Sequence, residues 1–193
     1  GVIVFVITYF ITKNIIVKDP SAIETMGGIS VICADKTGTL TENVMKVTKV
    51  FNGKEIKAVT EDADDDVKMI LELATICNDS DETSGDPTGV GIAEACRDVC
   101  KKSKLDIENL YPRLSEIPFD SSRKLMTTIN MINERPFVIV KGAPETVLSL
   151  CNGNCEEKYG GTIEALASEG LRVIAVAAKQ IFEIPANPST EEI

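Results

Sequence analysis

Residues 29–34, ISVICA, form a short continuous apolar run that constrains the fold more than any other stretch of the chain. The run is rich in β-branched side chains, which is typical of a strand buried on both faces of a parallel sheet. Asp35 follows directly, at the carboxyl end of the predicted strand, where open α/β sheets bind their ligands. Residues 44–59 alternate around Asn52 and Gly53, which is a strong hairpin signal. We therefore expect one parallel-type strand followed by antiparallel structure.

The rest of the chain alternates between helical and strand-like patterns. The acidic stretch 61–66 precedes a helical pattern and favours a solvated helix start, because the helix dipole stabilises acidic side chains there. The alternative, a calcium loop, would need a glycine and a glutamate that are missing here. The order of patterns predicts an α/β fold in which an antiparallel α+β domain is inserted after the first strand of an incomplete doubly wound domain. The predicted elements are helices over 67–77, 85–103, 143–151 and 162–170, a hairpin of strands 123–132 and 136–143, and a strand over 171–179.

Composition excludes several function classes. The net charge of −10 disfavours nucleic acid and anionic membrane surfaces as partners. The chain has no histidine, which excludes Ser-His and Cys-His nucleophile pairs and zinc sites that need imidazole. We expect the six cysteines to be buried thiols of a reducing compartment, with a metal site at the 96/100 and 151/155 pairs as the alternative. They are Cys33, Cys77, Cys96, Cys100, Cys151 and Cys155.

The first eleven residues are apolar, whereas a membrane-spanning helix needs about 20 such residues. No basic leader precedes this run and no small-residue cleavage site follows it, so we do not expect a signal peptide. Residues 12–28 carry lysines, a proline and paired glycines, which is typical of a connector in water.

Asp35 is a candidate phosphate acceptor. A carboxylate can attack phosphorus and form an acyl phosphate, provided that Mg²⁺, lysine and backbone amides neutralise the charges. Gly38 allows a close approach of the backbone, and the threonines at 37, 39 and 41 add hydroxyls that suit a phosphate site. The alternative is structural: Asp35 caps a helix start, and the threonines merely fill a turn.

The block DKTGTLT, residues 35–41, resembles the phosphorylation signature of the P-type cation-transporting ATPases. Residues 21–47 resemble the segment that joins the fourth membrane helix to the phosphorylation domain in calcium-pump-like members. Five further motifs follow in the order of that family. They are CNDS (77–80), GDPTG (85–89), FDSSRKLM (119–126), KGAPE (141–145) and EGLRVIAVA (169–177).

The resemblance implies a role for each matching residue. Asp35 would be the phosphorylated nucleophile, with Lys36 and Thr37 in the same catalytic loop, and the Asp35 carboxylate and Thr37 carbonyl would bind Mg²⁺. Phe119 would stack on the adenine of ATP, and Arg172 would contact its phosphates. The nucleotide-binding set as a whole is Asp86, Thr88, Phe119, Ser121, Lys124, Lys141, Gly142 and Arg172.

The same resemblance implies a division of the chain. Residues 1–27 would end a membrane helix and its stalk, 28–43 would form the first strand and phosphorylation loop of a haloacid-dehalogenase-like domain, 44–180 the nucleotide-binding domain, and 181–193 the return connection. The implied protein is a multi-pass membrane pump, with calcium as the favoured ion and this segment on the cytosolic side together with the pump's other domains. The later TGD and GDGxND motifs of the family are absent from the chain, so we expect the segment to bind ATP but not to pump alone.

Two positions weigh on this interpretation. Phosphatases of the haloacid dehalogenase superfamily carry a second aspartate two places after the nucleophile, and Thr37 cannot replace that general acid and base. This opposes the alternative function of a soluble aspartyl-phosphate phosphatase; a stand-alone nucleotide-binding module is the other alternative. Gly89 stands where the family pattern has a glutamate that helps to recognise adenine, which leaves Asp86 and Thr88 as polar candidates.

Overall fold

The computed structural model describes residues 2–184, and side chains from residue 4 onward. The chain divides into two compact units, Gly1–Asn43 and Val44–Ile193, and we describe each by itself.

The first unit contains two helices and a wide turn. Helix α1 (Val2–Thr12) coincides with the apolar run, α2 (Ser21–Gly27) lies in the predicted connector, and the turn spans Lys36–Leu40. Helix α2 starts after Asp19, whose Oδ1 accepts hydrogen bonds from the backbone N–H and hydroxyl of Ser21. Within the described residues, none of the helices has both the length and the apolar character needed to cross a membrane.

The prediction of a buried strand at residues 29–34 is wrong. The segment pairs with no strand among the described residues, and Val31 and Ile32 are 75% and 78% exposed. A strand is stabilised by hydrogen bonds to its neighbours, so an apolar run without such neighbours stays irregular. Cys33 is consequently exposed, which also corrects its prediction as a buried thiol.

The second unit is a mixed α/β domain with antiparallel sheets. Strands β1 (Lys49–Phe51) and β2 (Ile56–Ala58) form a small hairpin, and the other four strands form one sheet in the order β3-β4-β5-β6. The elements of the second unit after β2 are α3 (Asp65–Ile76), α4 (Pro87–Cys100), α5 (Lys104–Leu110), β3 (Arg113–Asp120), β4 (Leu125–Ile132), β5 (Arg135–Gly142), α6 (Pro144–Ser149), α7 (Cys155–Ser168) and β6 (Ala175–Gln180).

The starts of α3 and α4 follow local chemistry that can be recognised in the sequence. Asp64 caps α3 by accepting a hydrogen bond from the backbone N–H of Val67. Asp86 caps α4, and Pro87 occupies the first position of that helix, where its missing N–H is not needed. Both starts are therefore confirmed.

The two predicted hairpins are also confirmed. In the β1–β2 turn, Asn52 Oδ1 accepts hydrogen bonds from the backbone N–H groups of Lys54 and Glu55. In the β4–β5 turn, Asn133 and Glu134 have φ values of 49° and 62°, the left-handed pair that matches the twist of a tight hairpin.

Helices α2 and α5 and strand β3 lie outside the predicted pattern, and α7 begins at Cys155, well before its predicted start at residue 162. A capping box starts α5: the Ser103 hydroxyl accepts from the Asp106 N–H, and the Asp106 carboxylate accepts from the Ser103 N–H. Strand β3 contains Pro118 and lies at an edge of the sheet, the place where a strand tolerates proline.

Two apolar clusters form the core of the second unit, and α3 contributes to both. Val67 and Leu71 belong to the first, and Ile76 and Cys77 belong to the second, together with Met126 of β4 and Ile139 of β5. The end of α3 is thus held against the sheet, which places the following residues, Asn78 to Ser80, beside β5. Of the cysteines, Cys77 and Cys96 are buried as predicted, whereas Cys100, Cys151 and Cys155 are half-buried.

Candidate nucleotide-binding site

One end of the four-stranded sheet collects predicted nucleotide-binding residues. Lys124 lies in the β3–β4 turn and Lys141 near the end of β5, and Phe119 lies near the end of β3. The strand register brings these ends together, since the paired positions are Asp120 with Leu125, Leu125 with Gly142, Met126 with Lys141, and Gly142 with Ala175.

Lys141 is the half-buried cation of this site. Its Nζ donates a hydrogen bond to Asn78 Oδ1 at 3.0 Å. Burial lowers the pKa of Lys141 to about 8, because the surrounding protein solvates an ammonium less well than water does. The Lys141 side chain is therefore positively charged below about pH 8, and its ammonium is oriented by the hydrogen bond to Asn78.

Asn78 was not among the predicted site residues, although it belongs to the CNDS motif. It is 3% exposed, and its Nδ2 donates to the carbonyl oxygens of Ser80 and Gly89 at 3.1 and 2.9 Å. The only indication of Asn78 in the sequence was that a polar motif directly follows an apolar helix. The contact with Lys141 spans 63 residues, so local patterns could not predict it.

Asp86 and Thr88, two of the predicted site residues, lie at the start of α4. Asp86 Oδ2 accepts hydrogen bonds from the backbone N–H groups of Thr88 and Gly89 at 3.0 and 3.2 Å. The Thr88 hydroxyl is buried and has no hydrogen-bond partner within the described part of the chain. A buried hydroxyl without a partner costs about 1–3 kcal/mol, which makes Thr88 a candidate for a ligand contact.

The end of β3 and the β3–β4 turn expose an aromatic ring beside polar groups. Phe119 is 59% exposed, Ser121 is exposed, and Lys124 Nζ pairs with Glu145 Oε1 at 3.2 Å on the surface. Asp120 shapes the turn by accepting hydrogen bonds from the backbone N–H groups of Ser122 and Arg123. An exposed phenylalanine at this place is free to stack on a flat ligand.

Arg172 precedes β6, whose first residue lies opposite Gly142. Its side chain is exposed, and no carboxylate of residues 4–184 forms an ion pair with it. The guanidinium is thus available to an anionic ligand, and its five N–H donors suit phosphate oxygens.

Gly142 lets two backbones approach closely. A Cβ at this position would collide with the carbonyl oxygen of Lys124 and lie 3.0 Å from the Cα of Leu125. The same Lys124 carbonyl accepts a hydrogen bond from the Ala143 N–H at 3.0 Å. Gly142 therefore acts as a spacer between β4 and β5.

We expect Gly142→Ala to lower the free energy of unfolding by about 1–3 kcal/mol, because overpacking at this contact forces the strands apart. Urea denaturation followed by circular dichroism measures the change. Gly161→Ala on α7 is the matched control, since nothing lies within 4 Å of its added Cβ. A loss below about 0.5 kcal/mol for Gly142→Ala would contradict the close approach.

Asp35, Lys36 and Thr37 lie in the first unit, and all three are exposed. Gly38 has a φ of 73°, and its N–H donates to the Thr41 hydroxyl at 3.3 Å, which closes the turn. Asp35 stands just before the turn, and its side chain accepts no capping hydrogen bond. The structural alternative, in which Asp35 caps a helix, is therefore wrong.

Metal binding by cysteine finds no support. Within residues 2–184, no group of three or more cysteine or carboxylate side chains is placed to hold a metal ion.

The second unit is thus a mixed α/β domain whose antiparallel sheet ends in a lysine-centred polar site. The family model described as "P-type ATPase, cytoplasmic domain N" matches residues 66–192. The chain belongs to the P-type cation-transporting ATPase family.

Relatives with curated names agree with this assignment. The chain is 36% identical over 192 residues to Calcium-transporting ATPase 1 of Lactococcus lactis, with 89% of the chain and 21% of that protein covered. It is 38% identical over 177 residues to a probable cation-transporting P-type ATPase of Mycoplasma genitalium, covering 91% of the chain and 19% of the relative. It is 32% identical over 188 residues to Calcium-transporting ATPase 1 of Bacillus cereus, covering 88% and 21%. The chain spans about a fifth of the length of these relatives.

Proposed function

We propose that this chain is the ATP-binding and phosphoryl-acceptor part of an ATP-driven cation pump in a membrane, and that it lies on the cytosolic side. The observation that carries the proposal is the half-buried Lys141 at the end of the sheet that also presents Phe119. Membership of the family supports the ATP-dependent reaction. Residues 44–180 are the proposed nucleotide-binding domain, and residues 1–27 the proposed end of a membrane helix with its stalk.

In the proposed site, Phe119 stacks on adenine while Lys124, Lys141 and Arg172 receive the negative charge of the nucleotide. The chain as a whole carries a net charge of −10, so nucleotide capture depends on these local cations. Asp86, Thr88, Ser121 and Gly142 complete the proposed set, with Gly142 acting as the spacer described above.

Residues 28–43 are the proposed phosphorylation loop of a haloacid-dehalogenase-like domain, and residues 181–193 the return connection to it; residues 185–193 lie outside the described part. In the reaction, a carboxylate oxygen of Asp35 attacks the γ-phosphorus of ATP. The bond from phosphorus to the bridging oxygen breaks, and ADP leaves with the electron pair. The product is an aspartyl phosphate, and no proton needs to move. The adjacent Lys36 ammonium offsets the charge of the reacting groups.

The oxygens at Asp35 and Thr37 suit Mg²⁺ chemically. An exposed carboxylate and a backbone carbonyl are hard oxygen donors, and Mg²⁺ is usually held by one or two protein carboxylates together with water and substrate phosphates. When bound, Mg²⁺ would neutralise phosphoryl oxygens. Asp35 and Thr37 are the residues that would hold it.

Calcium is the proposed transported ion. Two of the relatives above are named calcium-transporting ATPases, and one is named a probable cation-transporting ATPase.

Titration of the 193-residue chain with ATP tests the nucleotide site. We expect a micromolar to millimolar Kd and shifts of the backbone amide NMR signals of Phe119, Lys141 and Arg172. Signals in the β1–β2 turn, such as that of Lys54, serve as an internal control and should stay in place. If none of the three site signals moves, the site assignment is wrong.

A further inference from the structure

The Lys141 ammonium has an amide rather than a carboxylate as its partner. Within residues 4–184, no carboxylate lies within 4 Å of Lys141 Nζ, and Asn78 Oδ1 is its hydrogen-bond partner. The charged and titratable groups that face it from neighbouring elements are Cys77, Asp79, Asp86 and Lys104. Asp79 is already paired with Arg113 at 2.6 Å. The direction of the ammonium is therefore decided by Asn78.

Asn78 is itself held in one orientation. Both Nδ2 protons are used, since Nδ2 donates to the carbonyl oxygens of Ser80 and Gly89. The backbone carbonyl of Asn78 accepts a hydrogen bond from Arg113 at 2.8 Å. A flipped amide would place its oxygen against two carbonyl oxygens, so only Oδ1 can face Lys141.

Gly89 provides the space for this arrangement. A Cβ at position 89 would lie 2.6 Å from Asn78 Oδ1 and 2.8 Å from Ser80 Cβ. Asn78 cannot move away without losing its bonds to Ser80 and Gly89. Any side chain at position 89 therefore competes with the contact between Asn78 and Lys141.

We propose that Asn78 is a positioning residue of the nucleotide site, which aims the Lys141 ammonium at the bound nucleotide, and that Gly89 leaves room for Asn78 in this chain. This inference rests on the nucleotide-binding function proposed above. Asn78 acts through Lys141 and contacts no ligand itself, so its effect on affinity depends on the presence of the lysine.

A double-mutant cycle tests this dependence. We expect Asn78→Ala to weaken ATP binding by the 193-residue chain about tenfold when Lys141 is present, and less than about twofold in the Lys141→Met background. Isothermal titration calorimetry measures Kd, and circular dichroism verifies that each variant is folded. An equal loss in both backgrounds would show a merely structural role and overturn the proposal.

A second measurement does not depend on nucleotide. The rate at which an acetylating reagent modifies Lys141, followed by mass spectrometry against pH, reports the fraction of uncharged amine. The midpoint should lie near pH 8 in the natural chain, where burial lowers the pKa of Lys141 to about 8. Asn78→Asp should move it to higher pH, because a carboxylate in contact stabilises the ammonium. An unchanged midpoint in folded Asn78→Asp would overturn the contact.

Gly89→Ala extends the test to the glycine beside Asn78, with Gly161→Ala as the matched control. We expect Gly89→Ala to weaken ATP binding as Asn78→Ala does, and Gly161→Ala to leave Kd within about twofold. Failure of the natural chain to bind ATP would refute the proposed function. Normal binding by the natural chain without coupling in the cycle would refute the positioning role alone.

Discussion

Asp35→Asn in the complete pump is expected to abolish the acid-stable, hydroxylamine-sensitive label that γ-labelled ATP leaves on the protein. An amide oxygen is too weak a nucleophile to form the acyl phosphate, and loss of a nucleophile lowers turnover by at least about a thousandfold. The side chain is exposed and accepts no capping hydrogen bond, so the substitution should not disturb the turn. Acid-gel autoradiography of purified membranes measures the label.

Asp19→Asn is the matched control for this experiment. Asp19 is also an exposed aspartate of the first unit, and its Oδ1 accepts hydrogen bonds from Ser21. The asparagine oxygen can accept the same bonds, so labelling should remain at the natural level. Undiminished labelling of the Asp35→Asn pump would remove Asp35 as the nucleophile.

Lys141→Met is expected to weaken ATP binding by the 193-residue chain about tenfold to a hundredfold. The substitution keeps most of the apolar stem and removes the charged group, and hydrogen bonds to charged groups contribute about 1.5–3 kcal/mol. Isothermal titration calorimetry at pH 7 measures the Kd. Lys54→Met, an exposed lysine of the β1–β2 turn, should leave the Kd unchanged.

The pH dependence of binding follows from the same lysine. Burial lowers the pKa of Lys141 to about 8, so the side chain is charged below that pH and loses its proton as the pH rises through it. The affinity for ATP should therefore be constant below about pH 7 and decline above about pH 8. In Lys141→Met this decline should disappear. A natural chain whose Kd is the same at pH 7 and pH 9.5 would contradict the role of Lys141.

Local patterns predicted much of the second unit. Asp64 and Asp86 cap their helices through backbone N–H groups two or three residues ahead, and such contacts can be recognised from spacing. The Asn52–Gly53 turn depends equally on neighbours in the chain. The capping box at Ser103 and Asp106 was a comparable signal that could have predicted α5.

The site was less predictable than the fold. The motifs indicated Phe119, Lys124 and Lys141, and the register of β3, β4 and β5 brings their strand ends together. Asn78 belongs to the CNDS motif but was not a predicted site residue, because its partner lies on a strand far along the chain. Gly89 looked like a missing glutamate, whereas the packing of Asn78 and Ser80 leaves no space for a side chain there.

The sequence by itself determined the starts of α3 and α4, the tight hairpins and the family, because each depends on residues that are close along the chain or on an ordered set of motifs. Only the tertiary structure decided that residues 29–34 are exposed, that Gly142 lies against the backbone of β4, and that Lys141 donates a hydrogen bond to Asn78. The physical reason is that a strand needs hydrogen-bonding neighbours and a buried polar group needs a partner. Long-range packing supplies both.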